Sequence, residues 1–206
     1  MYRVYDDILP PDLVDDLESI FLDGDGFPWR PMVKINDEGL KENTYKTVNC
    51  QNWEEIKEKY PNAIQSCQLG HNIWSANSIR TTKEFADLAF APVQHASNNV
   101  SYEWGYNKFS FLRMKANLLL NSAQDLEEYH NVPHVDTTSE HLVFLYYVND
   151  SDGDTYIWDR YGEELLTRVS PERGRILVFD GFHYHASSPP SKSEARIVIN
   201  SNVRCS

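Results

Sequence analysis

The stretch YHNVPHVDTT, Tyr129 to Thr138, decides how this chain is read. His134 and Asp136 are two residues apart, so on an extended segment both side chains leave the same face and reach one metal ion. An imidazole and a carboxylate from one strand supply two cis ligands. A third ligand from a distant strand completes a facial set with open positions, which suits iron(II) with a bidentate co-substrate and oxygen. His130 and His134 have the spacing of a helical zinc pair, but Pro133 disfavours a helix there and the Glu of a zinc-protease motif is missing.

On either side of this stretch the chain is a series of short apolar runs separated by turn signals: FSFLRMKANLLL from Phe109, HLVFLYYV from His141, TYIW from Thr155, LLTRV from Leu165, RILVF from Arg175 and RIVINSNV from Arg196. With shorter pieces around His134 and His185, they predict about eight strands. Many strands without intervening helices point to a mainly β, α+β chain whose core is a jelly roll, a double-stranded β-helix, with its helices in the N-terminal half. Pro10 and Pro11 suit a first helical turn, and Leu13, Val14, Leu17, Ile20 and Phe21 recur at helical spacing up to Gly24 and Gly26. A second, weaker helix is expected from Thr82 to Pro92. The segment from Phe27 to Thr47 reads as an irregular cover over a site. The 206 residues are therefore expected to form a single domain, with a helical and irregular part over 1–108 packing on and covering a β core over 109–206.

The third ligand should come late, and GRILVFDGFHYHASSPP, Gly174 to Pro190, offers His183 and His185. Strand period leaves both open, because both would share a face on an extended segment. Residues 174–203 resemble the closing half of the iron(II)- and 2-oxoglutarate-dependent oxygenase core. The segments Arg113 to Leu118, His134 to Asp136, Tyr147 to Asn149 and Arg196 to Asn200 are similar to those of small prolyl-hydroxylase-like oxygenases of marine bacteria and their phages. The resemblance implies His185 as the distal ligand, six residues after Phe179, and Arg196, eleven residues further on, as the anchor for the far carboxylate of 2-oxoglutarate. On the strand of Arg196, Asn200 and Asn202 share its face; on an earlier strand Arg113, Lys115 and Asn117 share another. Asn117 is the first candidate for a further co-substrate hydrogen bond, with Asn200 also a candidate and Tyr146 and Tyr129 weaker ones.

The family likeness implies a hydroxylase that couples decarboxylation of 2-oxoglutarate to succinate and carbon dioxide with hydroxylation of a small molecule or peptidyl residue. Its cofactors would be Fe(II), 2-oxoglutarate and O2, with ascorbate a compatible reductant. The carboxylate of Asp136 argues for hydroxylation over halogenation, because related halogenases carry a small residue there. Two rivals share features of the pattern: a nucleic-acid demethylase with the same triad, and a cupin-like jelly roll that binds metal or sugar without oxygenase activity. The formal charge of -12, with scattered Lys and Arg, argues against a nucleic-acid partner.

Three cysteines, Cys50, Cys67 and Cys205, in no CxxC spacing are expected to be reduced thiols. No apolar run is long enough for a membrane span and no basic, apolar leader opens the sequence, so a cytoplasmic protein without a membrane partner is expected. The phage likeness is compatible with a virus-encoded chain in its host's cytoplasm. Asn149 to Asp154 (NDSDGD) departs from a calcium loop in the place of its Gly and of its closing acid, and reads as a hairpin turn at Asp152 and Gly153. Trp29, Tyr106 and Trp158 are available as pocket aromatics; the substrate and the oligomeric state are not readable from these residues.

Overall fold

The run LVFLYY, Leu142 to Tyr147, is apolar at every position, and all six residues are buried. A strand of that kind is covered on both faces, and the chain builds a layer on each side of it. The computed structural model describes residues 1–22, 26–31, 50, 52–75, 77–122 and 128–206. In the first half lie strands β1 (Tyr2–Tyr5), β2 (Arg30–Pro31), β3 (Ala63–Ile64), β4 (Gln68–Ser75) and β5 (Ser78–Ile79), with helices α1 (Pro11–Leu22), α2 (Trp53–Lys59) and α3 (Lys83–Trp104). Strands alone follow among the described residues of the second half. They are β6 (Phe109–Leu120), β7 (His130–Asn131), β8 (Leu142–Tyr147), β9 (Thr155–Trp158), β10 (Leu165–Val169), β11 (Ile176–Asp180), β12 (His185–Ser187) and β13 (Ala195–Cys205).

The large sheet has the order β1-β11-β8-β13-β6-β4-β2, with β5 pairing on β4, and the second sheet has the order β10-β9-β12. Between them Val143, Leu145 and Tyr147 of β8 meet Leu177, Phe179, Val198, Ile157 and Val169. On the outer face Phe144 and Tyr146 pack with Ile197 and Ile199 beneath Leu17 and Phe21 of α1 and Phe85, Ala89 and Val93 of α3. Each such aliphatic or aromatic side chain contributes about 1.5–3 kcal/mol when taken from water. The result is a double-stranded β-helix with helices on one face, the expected architecture.

Three local expectations need correction. The second helix does not stop at Pro92; α3 runs from its Thr82 N-cap to a left-handed Gly105. Pro92 forfeits one backbone donor, but its ring is buried with Ala89, Val93 and Ala96, and tertiary packing outweighs that loss. The N-terminal part also contributes β1 and β4 to the large sheet, although it reads as helical and irregular. Finally, Asn149 to Asp154 is no hairpin: it crosses from β8 in one sheet to β9 in the other. Asp152 fixes the crossing by accepting the backbone N–H groups of Ser191, Lys192 and Ser193 and the Ser191 hydroxyl. Of the expected cover from Phe27 to Thr47, residues 32–47 lie outside the described residues.

Candidate metal centre

His134 and His185 face each other across an antiparallel bridge and exchange both backbone hydrogen bonds, at 3.0 and 2.9 Å. A hydrogen-bonded pair of this kind holds the two side chains side by side. Asp136, two residues on, returns to the same side, while Val135 packs into the cluster formed with Tyr156, Trp158 and Tyr184. One ligand atom from each of His134, Asp136 and His185 lies within 4.8 Å of the others. Both imidazole Nε2 atoms are 3.8 Å from the Asp136 carboxylate.

The tautomers follow from the partners. His134 Nδ1 faces the carbonyl of Val132 at 3.0 Å, and His185 Nδ1 faces that of His183 at 3.2 Å. A carbonyl only accepts, so each Nδ1 carries the hydrogen and each Nε2 presents a lone pair. His185 Nε2 is buried with no hydrogen-bond partner. Burial depresses the His185 pKa to about 4 against the pull of Asp136, so the ring is neutral at physiological pH. Burial alone would raise the Asp136 pKa, but Arg113, His185, His134 and Asn202 hold it well below the carboxylate range. Two imidazoles and one ionised carboxylate converging on one point are a donor set that fits iron(II).

Asp136 is held from behind. Arg113 Nη2 donates to Oδ1 at 2.7 Å, and the Asn200 and Asn202 amides donate to Oδ2 at 3.1 and 2.8 Å. Asn200 therefore positions the carboxylate through Nδ2, while its Oδ1 is buried without a partner. Asn202 and Arg113 are positioning residues that the sequence placed on the correct faces without a role. Lys115 pairs in register with Asn200 and Asn72, on the face of Arg113. Burial, and then Arg113, lower its pKa to about 8 while Asp136 opposes them. Asn117 shares this face opposite Val198, and its Oδ1 is buried without a partner.

Arg196, four residues before Asn200 on β13, is buried at 3 % exposure. Its Nε donates to the Gly153 carbonyl at 2.6 Å and its Nη2 to Thr155 Oγ1 at 2.7 Å, with the Tyr147 ring 5.7 Å from the guanidinium. The Tyr147 hydroxyl donates to the same Thr155 oxygen at 2.7 Å. A Cβ on Gly153 would stand 2.5 Å from the Ser188 carbonyl and 3.0 Å from Arg196 Cδ, so this close approach requires glycine. No carboxylate among the described residues hydrogen-bonds Arg196. A buried guanidinium whose hydrogen-bond partners among the described residues are neutral, with the charge of Asp154 acting on it from outside that set, can accept an incoming anion.

Tyr146 does not belong to this pocket. It lies on the outer face of β8 in the helix-covered core, and Tyr147 is the tyrosine beside Arg196. His183 precedes β12, and its Nδ1 meets the Trp158 carbonyl at 2.9 Å. Tyr129 is exposed at the surface, where its carbonyl accepts the Ser188 hydroxyl. The three candidate aromatics occupy separate places: Trp29 stacks on Phe21, Trp158 stacks on Tyr156, and Tyr106 lies beside Arg160 and Asp180.

Residues 120–204 match the family model of the 2OG-Fe(II) oxygenase superfamily. No curated protein matches the chain. The solved structures similar to it include a Pseudomonas putida prolyl-4-hydroxylase, at TM-score 0.59 and 15% identity over 98% of this chain and 91% of the other. A 2OG-Fe(II) oxygenase family oxidoreductase from Burkholderia pseudomallei aligns at TM-score 0.65 and 11% identity, over 98% and 84%. A viral collagen prolyl hydroxylase from Paramecium bursaria Chlorella virus-1, in complex with 2OG, aligns at TM-score 0.51 and 13% identity, over 100% and 96%. At these identities the likeness describes the fold. No helix among the described residues is long and apolar enough to cross a membrane.

Proposed function

We propose that this chain, which matches the 2OG-Fe(II) oxygenase superfamily model over residues 120–204, hydroxylates a small molecule or peptidyl residue at a metal held by His134, Asp136 and His185. It is an iron(II)- and 2-oxoglutarate-dependent dioxygenase, and the co-substrate leaves as succinate and carbon dioxide. When bound, iron with 2-oxoglutarate and oxygen supplies the two-electron oxidation that puts a hydroxyl on a C–H bond. The observation that carries the assignment is the bridge that brings two Nε2 lone pairs and one ionised carboxylate together.

The chain's own residues do three things in this reading. The Val132 and His183 carbonyls fix the imidazole tautomers, and Arg113, Asn200 and Asn202 aim the Asp136 carboxylate. Arg196, held by the Gly153 carbonyl and by the Thr155 hydroxyl to which Tyr147 also donates, would take the distal carboxylate of 2-oxoglutarate. The apolar residues of β8 and β11 keep water from the pocket on the remaining side. The likeness to prolyl hydroxylases supports including a peptidyl substrate among those to be tried.

Anaerobic titration of iron(II) and 2-oxoglutarate into the protein tests the assignment. A visible metal-to-ligand charge-transfer band is expected, lost in Asp136→Ala and shifted to much higher 2-oxoglutarate concentration in Arg196→Ala. A protein that shows no band with either ligand in excess does not have this function.

A further inference from the structure

The wall opposite the apolar one carries charge that neither the metal nor the co-substrate uses. Lys115 is paired with Asn200, whose amide holds Asp136, so the lysine stem enters the space in which the ligand carboxylate lies. It is half-buried and makes no hydrogen bond or ion pair with any described residue. Arg113 is committed to Asp136 through Nη2 while its Nε is buried without a partner. A half-buried ammonium beside a guanidinium, with Asp136 the carboxylate that attracts it, is held against desolvation and like-charge repulsion.

The charges of the loaded site leave this pair unmatched. Iron(II) is balanced by Asp136 and the chelating carboxylate of 2-oxoglutarate, and Arg196 by the distal one. Among the described residues, the positive charges of Arg113 and Lys115 remain. Nor does the co-substrate's distal end reach them. Arg196 and Asn200 are four residues apart on β13, about 13 Å at strand rise, and Lys115 is level with Asn200.

We propose that Lys115, supported by Arg113, receives an oxyanion of the substrate, a carboxylate or a phosphate. The enzyme then selects anionic substrates although the chain as a whole is acidic, and the captured group fixes which C–H bond stands before the metal. Arg113 shares this role with donors left over from its Nη2 bond to Asp136, and Lys115 brings the cation that has no partner among the described residues. The inference rests on the metal-centre assignment above.

The test uses the full chain loaded with manganese(II) and saturating 2-oxoglutarate, with inorganic phosphate and acetate as probes. Paramagnetic relaxation of the phosphate 31P and acetate carboxyl 13C signals reports an anion close to the metal. The expected result is a saturable enhancement that persists at saturating 2-oxoglutarate. It falls about tenfold in Lys115→Met, which removes one charge-assisted bond, and is retained in Lys115→Arg. Phosphate relaxation alone identifies a phosphate-bearing substrate, and acetate relaxation alone a carboxylate-bearing one. The inference is overturned if neither probe is relaxed, if Lys115→Met leaves the enhancement intact, or if 2-oxoglutarate displaces the anion and binds markedly more weakly to Lys115→Met. The last result assigns the lysine to the co-substrate. Failure of manganese or 2-oxoglutarate to bind the unaltered chain removes the metal-centre assignment itself.

Discussion

The inner face of the large sheet is two surfaces joined along β13. Toward β8 and β11 it presents Val143, Leu145, Leu177 and Phe179, all buried and packed on the second sheet. Toward β6 it presents Arg113, Lys115 and Asn117, and β13 adds Arg196, Asn200 and Asn202. The same sheet, with the same pleat, is a core on one side and a binding surface on the other. Folding stability and chemistry are carried by different parts of one face, which meet where Val198 of β13 enters the core and Tyr147 of β8 lies beside Arg196, so substitutions on the two sides should fail in different ways.

The largest effect is expected on the polar side. Asp136→Ala removes the carboxylate that faces both imidazoles and should abolish metal-dependent turnover, measured as succinate release, while thermal unfolding remains cooperative. On the apolar side, Leu177→Ala should lower unfolding stability by about 2–5 kcal/mol in denaturant titration, with metal affinity in the surviving folded protein unchanged. If Leu177→Ala instead destroyed metal binding in folded protein, the division would not hold.

The third effect concerns pH. The folded chain keeps His185 neutral down to about pH 4, whereas the unfolded chain takes up its proton below about 6.5. Stability of the metal-free protein should therefore be full above 6.5 and fall by up to about 3 kcal/mol as pH drops toward 4. A denaturation series should show this loss reduced in His185→Asn. The smallest expected effect is Asn202→Ala, which leaves the donor atoms of the triad in place but frees one oxygen of Asp136. It should weaken metal binding about 10–100-fold with little change in stability.

The parts that were legible in the sequence are those where chemistry and period coincide. His134 and Asp136 stand two apart beside a proline, and the extended backbone they imply is what the bridge to His185 provides. His183 and His185 could not be separated by period because the period does not apply: residues 181–184 turn, and only His185 enters a strand. Tyr146 and Tyr147 are not told apart by pattern, because every residue of β8 is buried and a strand covered on both faces has no polar alternation to reveal its phase. Thr155 gave no signal, since its role depends on a crossing between sheets that resembles a turn. The N-terminal strands are hidden for a different reason: β1 at the sheet edge and β4 beside β6 find their pairing partners far along the chain.

The reciprocal backbone bonds between His134 and His185 bear on how the protein acquires its metal. The two ligands are joined by the sheet itself, 51 positions apart in sequence, so chain folding sets their spacing before any ion arrives. Loading then resembles filling a finished socket, not closing a hinge. Metal exchange should follow the ligand-exchange rate of each ion, and a chelator should return an intact, reloadable protein.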